Sequence, residues 1–228
     1  MVRDQHSDLI VMLNKIKKIF LDLIFPISCI GCGKGDKLVC DKCYCSLLDN
    51  LNHVKKSSLS SLYIDNILVA FDYRFTLAAK LIKNFKYNFI FGLDNYLASL
   101  LISFIADYPI SKIDCIIPIP LSKKRKNWRG FNQSYLLANV IGNYYDILVN
   151  RDIISRKINN RPQVGLNAES RKQNIKGIFE INNYYNLKNK KILLVDDVIT
   201  TGSTLNECAK LLKEKGVLEV WALVLAKD

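Results

Sequence analysis

Two aspartates follow an apolar run, Ile192-Leu193-Leu194-Val195-Asp196-Asp197, and two residues later come Thr200-Thr201-Gly202-Ser203-Thr204. Gly202 lets the backbone approach a ligand closely. Hydroxyls and N–H groups at a helix N-terminus cradle a phosphate. Acidic side chains beside such a loop accept hydrogen bonds from sugar hydroxyls. The pattern therefore describes a grip on a sugar phosphate, with the loop on the phosphate and the acids on the ribose. The competing description is a plain strand-to-helix turn with an N-capping threonine and two solvated aspartates.

The second cluster is Cys29-Ile-Gly-Cys32, then seven residues, then Cys40-Asp-Lys-Cys43. Paired knuckles of this spacing bring four thiolates to one tetrahedral ion, with Zn–S near ~2.3 Å. Four protein ligands leave no open position, so such a zinc is structural. Redox thiols, or a site that has lost its metal, are the alternatives. Cys45 is a spare thiol nearby, His53 a distant alternative ligand and Cys115 an inert core thiol.

The third is Ser122-Lys-Lys-Arg-Lys-Asn-Trp-Arg-Gly-Phe-Asn-Gln133, read as a basic, glycine-containing loop. Lys124, Arg125 and Arg129 could neutralise a pyrophosphate. Trp128 and Phe131, set among these cations, could instead stack on the bases of a single strand, or simply be buried beside a solvated basic loop. Downstream, Arg161-Pro-Gln-Val-Gly-Leu166 is a turn-rich loop, and Asn167 can cap a short helix holding Glu169, Arg171 and Lys172. A long polar loop of this kind is commonly functional or disordered.

The elements that must position these groups follow from periodicity. The run from Ile192 to Val195 reads as a buried parallel strand. Leu205, Ala209, Leu211 and Leu212 support a helix, with Gly216 at C′. Ile67–Phe71 and Val220–Leu225 are further strands, and Asp114 to Leu121 is a buried strand running into two prolines. Thr76 is placed as the cap of a helix carrying Leu77, Leu81 and Phe85, with Lys80, Lys83 and Lys86 on its solvated faces. Asp94–Asp107 is an apolar core helix. Ser134–Ile141 is a helix ended by Gly142, and Tyr145–Val149 a short strand. Leu9, Met12, Leu13, Ile16, Ile19, Phe20 and Leu23 form a helical stripe that Pro26 stops, either packed on the body or docking a membrane surface or partner. Residues 53–61, HVKKSSLSS, read as a linker. The expected domains are an amphipathic helix (1–25), a zinc-binding module with linker (26–60) and an α/β domain (61–228).

The chain has 228 residues, half of them hydrophobic, enough for one α/β domain and a small appendage. No apolar run approaches about 18 residues without charges, so no transmembrane span is expected. Lys15, Lys17 and Lys18 interrupt the N-terminal apolar region, which does not read as a signal peptide. A cytoplasmic location follows, where cysteines serve as metal ligands or free thiols rather than disulfides. The net charge is +12, and between Leu121 and Glu180 there are 12 Lys/Arg against 4 Asp/Glu. A surplus so concentrated favours an anionic ligand, either a pyrophosphate or a nucleic-acid backbone.

The segment from Val195 to Thr204 resembles the phosphoribosyl pyrophosphate (PRPP) motif of type I phosphoribosyltransferases: apolar strand, two acids, mostly apolar residues, then Thr-Gly-x-Thr. The resemblance implies ribose contacts by Asp196 and Asp197 and 5′-phosphate binding by Thr200, Thr201, Gly202, Ser203 and Thr204. Nearly the whole chain is similar to the ComF/GntX family of phosphoribosyltransferase-like competence proteins. The resemblance runs through the four-cysteine module and the Pro-Ile-Pro-Leu…Arg129-Gly-Phe-Asn-Gln133 segment. It continues through Gln163-Val-Gly-Leu166…Arg171-x-x-Asn174-x-x-Gly177, the PRPP motif and Val220–Leu225.

That resemblance implies a type I phosphoribosyltransferase-like parallel sheet with flanking helices and a zinc module. It also implies a role in handling incoming single-stranded DNA during natural transformation, in the cytoplasm or peripheral to the inner membrane. If the chain is catalytic, pyrophosphate leaves the ribose C1 with Mg²⁺ bound. Asp196, Asp197, Arg161, Gln163 and Arg171 would then form the working set, the last three on a loop that closes over the site. Related proteins are often called amidophosphoribosyltransferases. This chain begins Met1-Val2-Arg3, and its first cysteine is Cys29, so glutamine-dependent chemistry is not expected. Two other outcomes stay open: a DNA-binding protein with a relic PRPP pocket, and a scaffold whose zinc module and N-terminal helix dock a motor protein of the DNA-uptake machinery.

Overall fold

The computed structural model describes residues 27–51, 62–88, 90, 92–157 and 177–228. The stripe of residues 9–23, the linker and the residues Arg161, Gln163 and Arg171 lie outside the described residues. The chain divides into two compact units, residues 1–45 and 46–228. The first carries the cysteine knuckles. Helix α1 spans Asp41–Asp49.

The second unit is built on a four-stranded parallel sheet in the order β1 (Asn66–Asp72), β6 (Glu219–Lys227), β5 (Lys191–Ile199), β2 (Cys115–Pro118). Every neighbouring pair is parallel, with Leu193 opposite Ile116 on one side and Trp221 on the other. Parallel neighbours need crossovers, and the crossovers place helices on both faces. That is why these strands read as unbroken apolar runs rather than alternating ones. Residues 192–195 of β5 are wholly buried. Truncating Leu193 or Leu194 to alanine would cost about 2–5 kcal/mol.

One face of the sheet packs Ile192, Leu194, Ala222 and Val224 against Leu205, Cys208, Ala209 and Leu212 of α6 (Ser203–Glu214). The same core takes in Ile154 and Phe179 from an antiparallel pair, β3 (Ile154–Arg156) and β4 (Phe179–Ile181). The alternate residues face the layer of α2 (Thr76–Tyr87), α3 (Leu93–Ile105) and α5 (Gln133–Tyr145). A short helix, α4 (Lys123–Arg129), precedes α5.

Several boundaries differ from expectation, each for a local reason. The run expected as a loop after Ser122 is helical. The Ser122 hydroxyl accepts from the Arg125 N–H at 3.3 Å, and Gly130, at φ 75°, closes the helix in the left-handed region. Thr76 is the first helical residue and Phe75 the N-cap, so Thr76 caps nothing. Gly142 does not end α5, which runs to Tyr145. A Cβ on Gly142 would meet the Val149 side chain and lie 2.8 Å from the Ile147 carbonyl, so the glycine is there for close approach. Tyr145–Val149 is accordingly not a strand, and only Val149 bridges to Ile116. The antiparallel β3–β4 pair was not anticipated, since its strands are three residues each. Gly216, at φ 80°, follows α6 as expected, donating to the Lys213 carbonyl at 2.9 Å.

Candidate functional site

β5 extends past Val195, so both acids lie within the strand and not beyond it. β2 stops at Pro118, beside Val195, which frees the flank of β5 from Asp196 onward. Alternation sends the two carboxylates to opposite faces of the strand. Asp197 is buried, and its Oδ1 pairs with Lys86 Nζ at 3.0 Å, the two side chains 12% and 15% exposed. Asp196 Oδ1 accepts from the Ser134 hydroxyl at 2.9 Å and from the Asp197 N–H at 2.9 Å. The two carboxylates have different partners. Burial, then repulsion from Asp197, pushes the Asp196 carboxyl up to about 7, against the opposing pull of the Asp197 N–H, Ser134 and Lys86.

β5 leads directly into the phosphate-type loop. Gly202 is the N-cap of α6 at φ 73°, a conformation costly for residues with a Cβ. Thr201 and Ser203 hydroxyls lie 2.8 Å apart, and the Ser203 N–H points to Thr201 Oγ1 at 3.4 Å. Gly202 offers no capping side chain, so apart from the long Ser203 N–H contact to Thr201 the helix start presents its N–H groups and the positive end of its dipole to an anion. Thr200 is exposed, and Thr201, Ser203 and Thr204 are half-buried.

Sequence reasoning missed Lys86 and Ser134. Lys86 had been set on a solvated face, yet it continues the buried series Ala78, Ile82 at four-residue spacing, and a cation in register with an apolar stripe was the available signal. Ser134 is the second residue of α5, behind the Asn132 cap, whose side chain accepts the Ser134 N–H at 3.1 Å; no pattern marked it. Of the basic set, Lys124 and Arg125 are exposed on α4. Arg125 lies close enough to Arg156 to add to the burial that depresses the Arg156 guanidinium. Arg129 is instead 6% exposed, its Nη1 donating to Gln133 Oε1 at 3.0 Å and its guanidinium 5.2 Å from the Tyr87 ring centre. Trp128 is exposed, its ring 5.7 Å from that of Tyr87. Phe131 is half-buried against Phe85.

In the first unit, one ligand sulfur each from Cys29, Cys32, Cys40 and Cys43 lie within 4.8 Å of one another. Cys32 Sγ and Cys40 Sγ are 3.7 Å apart, the edge of a tetrahedron with a centre about 2.3 Å from each corner. The donor set therefore fits zinc. Burial alone would raise the Cys29 thiol, but N–H groups of Cys40, Cys32 and Gly31 outweigh it and bring it to about 6. Cys43 is pushed up to about 12 by burial, then by its hydrogen bonds to the other three cysteines and the Cys29 charge. Without an ion, four thiolates cannot coexist at this spacing; a divalent cation removes the conflict. Cys115 is buried and pushed up to about 11 by burial, as expected of an inert thiol.

Over 207 residues the chain is 35% identical to Competence protein F of Haemophilus influenzae, covering 87% of this chain and 90% of that protein. This chain belongs to the ComF family of phosphoribosyltransferase-like proteins. Two more relatives match shorter stretches. DNA utilization protein YhgH of Escherichia coli K12 is 35% identical over 112 residues, 48% of each chain. Competence protein ComFC of Bacillus subtilis is 34% identical over 108 residues, 44% of this chain and 39% of that one. The phosphoribosyl transferase domain model matches residues 133–228. It spans Ser134, both aspartates and the Thr200–Thr204 loop, while Lys86 and Arg129 of this ComF-family chain lie outside it. Among the described residues no helix is long and apolar enough to cross a membrane.

Proposed function

We propose that this ComF-family protein binds PRPP with Mg²⁺ and serves the handling of incoming single-stranded DNA in natural transformation. The observation that carries the reading is one continuous β5–α6 unit. It carries the Asp196–Asp197 pair on the strand that leads through Thr200–Gly202 into a helix N-terminus lined with hydroxyls. The loop takes the 5′-phosphate, and the carboxylates take the ribose 2′- and 3′-hydroxyls. The names of the relatives, competence and DNA utilization proteins, support the cellular role.

Phosphoribosyl transfer breaks the C1–O bond, and the pyrophosphate departs with the electron pair. A nucleophile then bonds to C1, and its proton passes to solvent. Mg²⁺, when bound, would supply charge neutralisation on the pyrophosphate and ribose oxygens, and Asp196 and Asp197 are the hard-oxygen residues that would hold it. Lys124, Arg125 and Arg129 stabilise the leaving group, and Arg161, Gln163 and Arg171 are assigned to the same working set. The four cysteines hold a structural zinc. Together with the stretch at residues 1–25, that module is the proposed dock for a motor protein of the uptake machinery, in the cytoplasm or at the inner membrane.

Isothermal titration of PRPP, with and without Mg²⁺, tests the reading. Saturable, Mg²⁺-dependent binding is expected, weakened about tenfold or more in Asp197→Asn. A wild-type protein that binds no PRPP refutes it. A second reading rests on a separate observation: Trp128 and Tyr87 form an exposed aromatic pair beside Lys123, Lys124, Arg125 and Lys126. Such a ledge suits stacked bases above a tracked backbone, in a DNA-binding protein whose sugar-phosphate pocket is a relic.

A further inference from the structure

The antiparallel pair β3–β4 carries a charge where its register calls for an apolar side chain. Ile154 and Phe179 point into the core against α6, and Ile181 packs on that core from the same face. Ser155 and Glu180, on the alternate positions, are exposed and joined by a hydrogen bond at 3.0 Å. Arg156 belongs to the inner set. It stands directly opposite Phe179, and its guanidinium lies over that buried ring, 5.6 Å from the centre.

The ring attracts the cation but supplies no counter-charge. Arg156 is half-buried, and no carboxylate of the described residues lies within ion-pair distance of it. Burial, then the like charge of Arg125 on α4, holds the guanidinium below its usual range. Arg125 is exposed and can turn to water, while Arg156 is held in place on Phe179. A half-buried cation on an inward register position, facing a second cation, costs stability and calls for an anion. Its planar fork of N–H donors fits a carboxylate or a phosphate through two parallel hydrogen bonds.

The cation stands on the Asp196 side of the site. Asp196 continues the Ile192, Leu194 face of β5, which packs on α6. The wholly buried Cys208 thiol of α6 is pushed well up by burial, then by Asp196 and Glu207, and is drawn the other way by Arg156. One side chain thus lies within electrostatic reach of both the carboxylate and the guanidinium. Lys86 meets Asp197 from α2, on the opposite face. Arg156 therefore approaches the diacid from the side away from that ammonium.

We propose that Arg156 binds an oxyanion, carboxylate or phosphate, of the molecule that receives the ribose, so that the acceptor is an anion rather than a neutral base. The acceptor role rests on the PRPP reading. In the transfer the acceptor's nucleophilic atom bonds to C1, pyrophosphate leaves with the C1–O electron pair, and the acceptor's proton passes to water. Arg156 takes no proton and acts by holding the acceptor.

The test uses the full-length protein and a matched set of probes: benzoate, phenyl phosphate and the neutral benzamide. Each is titrated by ligand-observed NMR with ribose 5-phosphate present in excess to occupy the phosphate loop. PRPP plus Mg²⁺ is titrated separately, with thermal unfolding alongside. Arg156→Leu places an apolar side chain on the inward position, Arg156→Gln keeps a polar one, and Lys157→Gln, on the exposed neighbour, controls for net charge. The wild type is expected to bind benzoate or phenyl phosphate about tenfold or more tighter than benzamide, and both Arg156 variants to lose that preference. Whichever of the two anions binds tighter names the acceptor's charged group. Arg156→Leu should unfold at or above the wild-type Tm, and PRPP affinity should stay within about twofold in both Arg156 variants.

A wild type that binds PRPP but does not prefer the anions to benzamide would overturn the proposal and leave the PRPP reading standing. An anion preference unchanged in folded Arg156→Leu would overturn it by placing the anion elsewhere. An equal loss in Lys157→Gln would overturn it in favour of diffuse electrostatics. A loss of PRPP affinity as large as the loss for the anions would overturn the acceptor role and give Arg156 to PRPP itself. A wild type that binds no PRPP removes the acceptor role together with the PRPP reading, whatever the anions do.

Discussion

Asp196→Asn should make the ligand-free protein more stable above neutrality while weakening its ligand binding. The Asp196 carboxyl is held at about 7 rather than 3.8 by burial and by Asp197. Between those values the folded chain keeps a proton that the unfolded chain has lost. Stability therefore falls as pH rises through about 4 to 7, and the full penalty stands above that window. Three units at ~1.36 kcal/mol each set a ceiling near 4 kcal/mol; a half-buried carboxylate retains some water, so about 2 kcal/mol is expected. The amide keeps the geometry, because its oxygen can still accept from Ser134 Oγ and the Asp197 N–H. For a unit of this size, 2 kcal/mol is a Tm rise of about 4–8 °C. Thermal unfolding followed by tryptophan fluorescence, at about pH 5 and about pH 8 without ligand, measures it. The gain should be largest at the higher pH and shrink at the lower. A Tm unchanged at about pH 8, or a gain independent of pH, would refute the claim that a buried charge is maintained here at the expense of stability.

Gly142→Ala should destabilise the protein by about 1–3 kcal/mol through collision with Val149 and the Ile147 carbonyl. Urea unfolding checks it, and Val149→Ala added to the variant should restore part of the loss. Zinc analysis should find one equivalent per chain, lost in Cys40→Ser and on treatment with a chelator; a wild type free of zinc after metal-replete expression contradicts the structural-zinc assignment. Trp128→Ala should weaken single-stranded DNA binding in fluorescence anisotropy by about tenfold, stacking contributing ~1–3 kcal/mol per base. Wild-type binding should fall steeply with salt, and binding indifferent to salt and to Trp128 counts against the aromatic ledge.

Local chemistry made much of the site legible. The diacid, the Gly202 turn and the following amphipathic helix depend on residues within one βα unit, and their spacing survives translation into structure unchanged. The cysteine knuckles are equally local, since two short turns bring four sulfurs together. Boundaries were less legible where a capping side chain decided them, as Ser122 did in turning an expected loop into α4. Gly142 misled for a related reason: glycine ends helices, but it also admits close neighbours, and only the position of Val149 distinguishes the two uses.

From the sequence alone come the parallel α/β architecture, the diacid followed by the Thr200–Thr204 loop, the four-cysteine cluster and the concentration of positive charge. Each is carried by periodicity or by spacings of a few residues. Tertiary structure alone decided the rest. It brought Lys86, 111 positions before Asp197 in the chain, onto that carboxylate, set Ser134 on Asp196, and closed Arg129 against Tyr87 and Gln133. It also made the two adjacent aspartates unequal. A strand alternates its side chains between two environments, and burial and ion pairing act on a carboxyl through what surrounds it in space, not through what adjoins it in the chain.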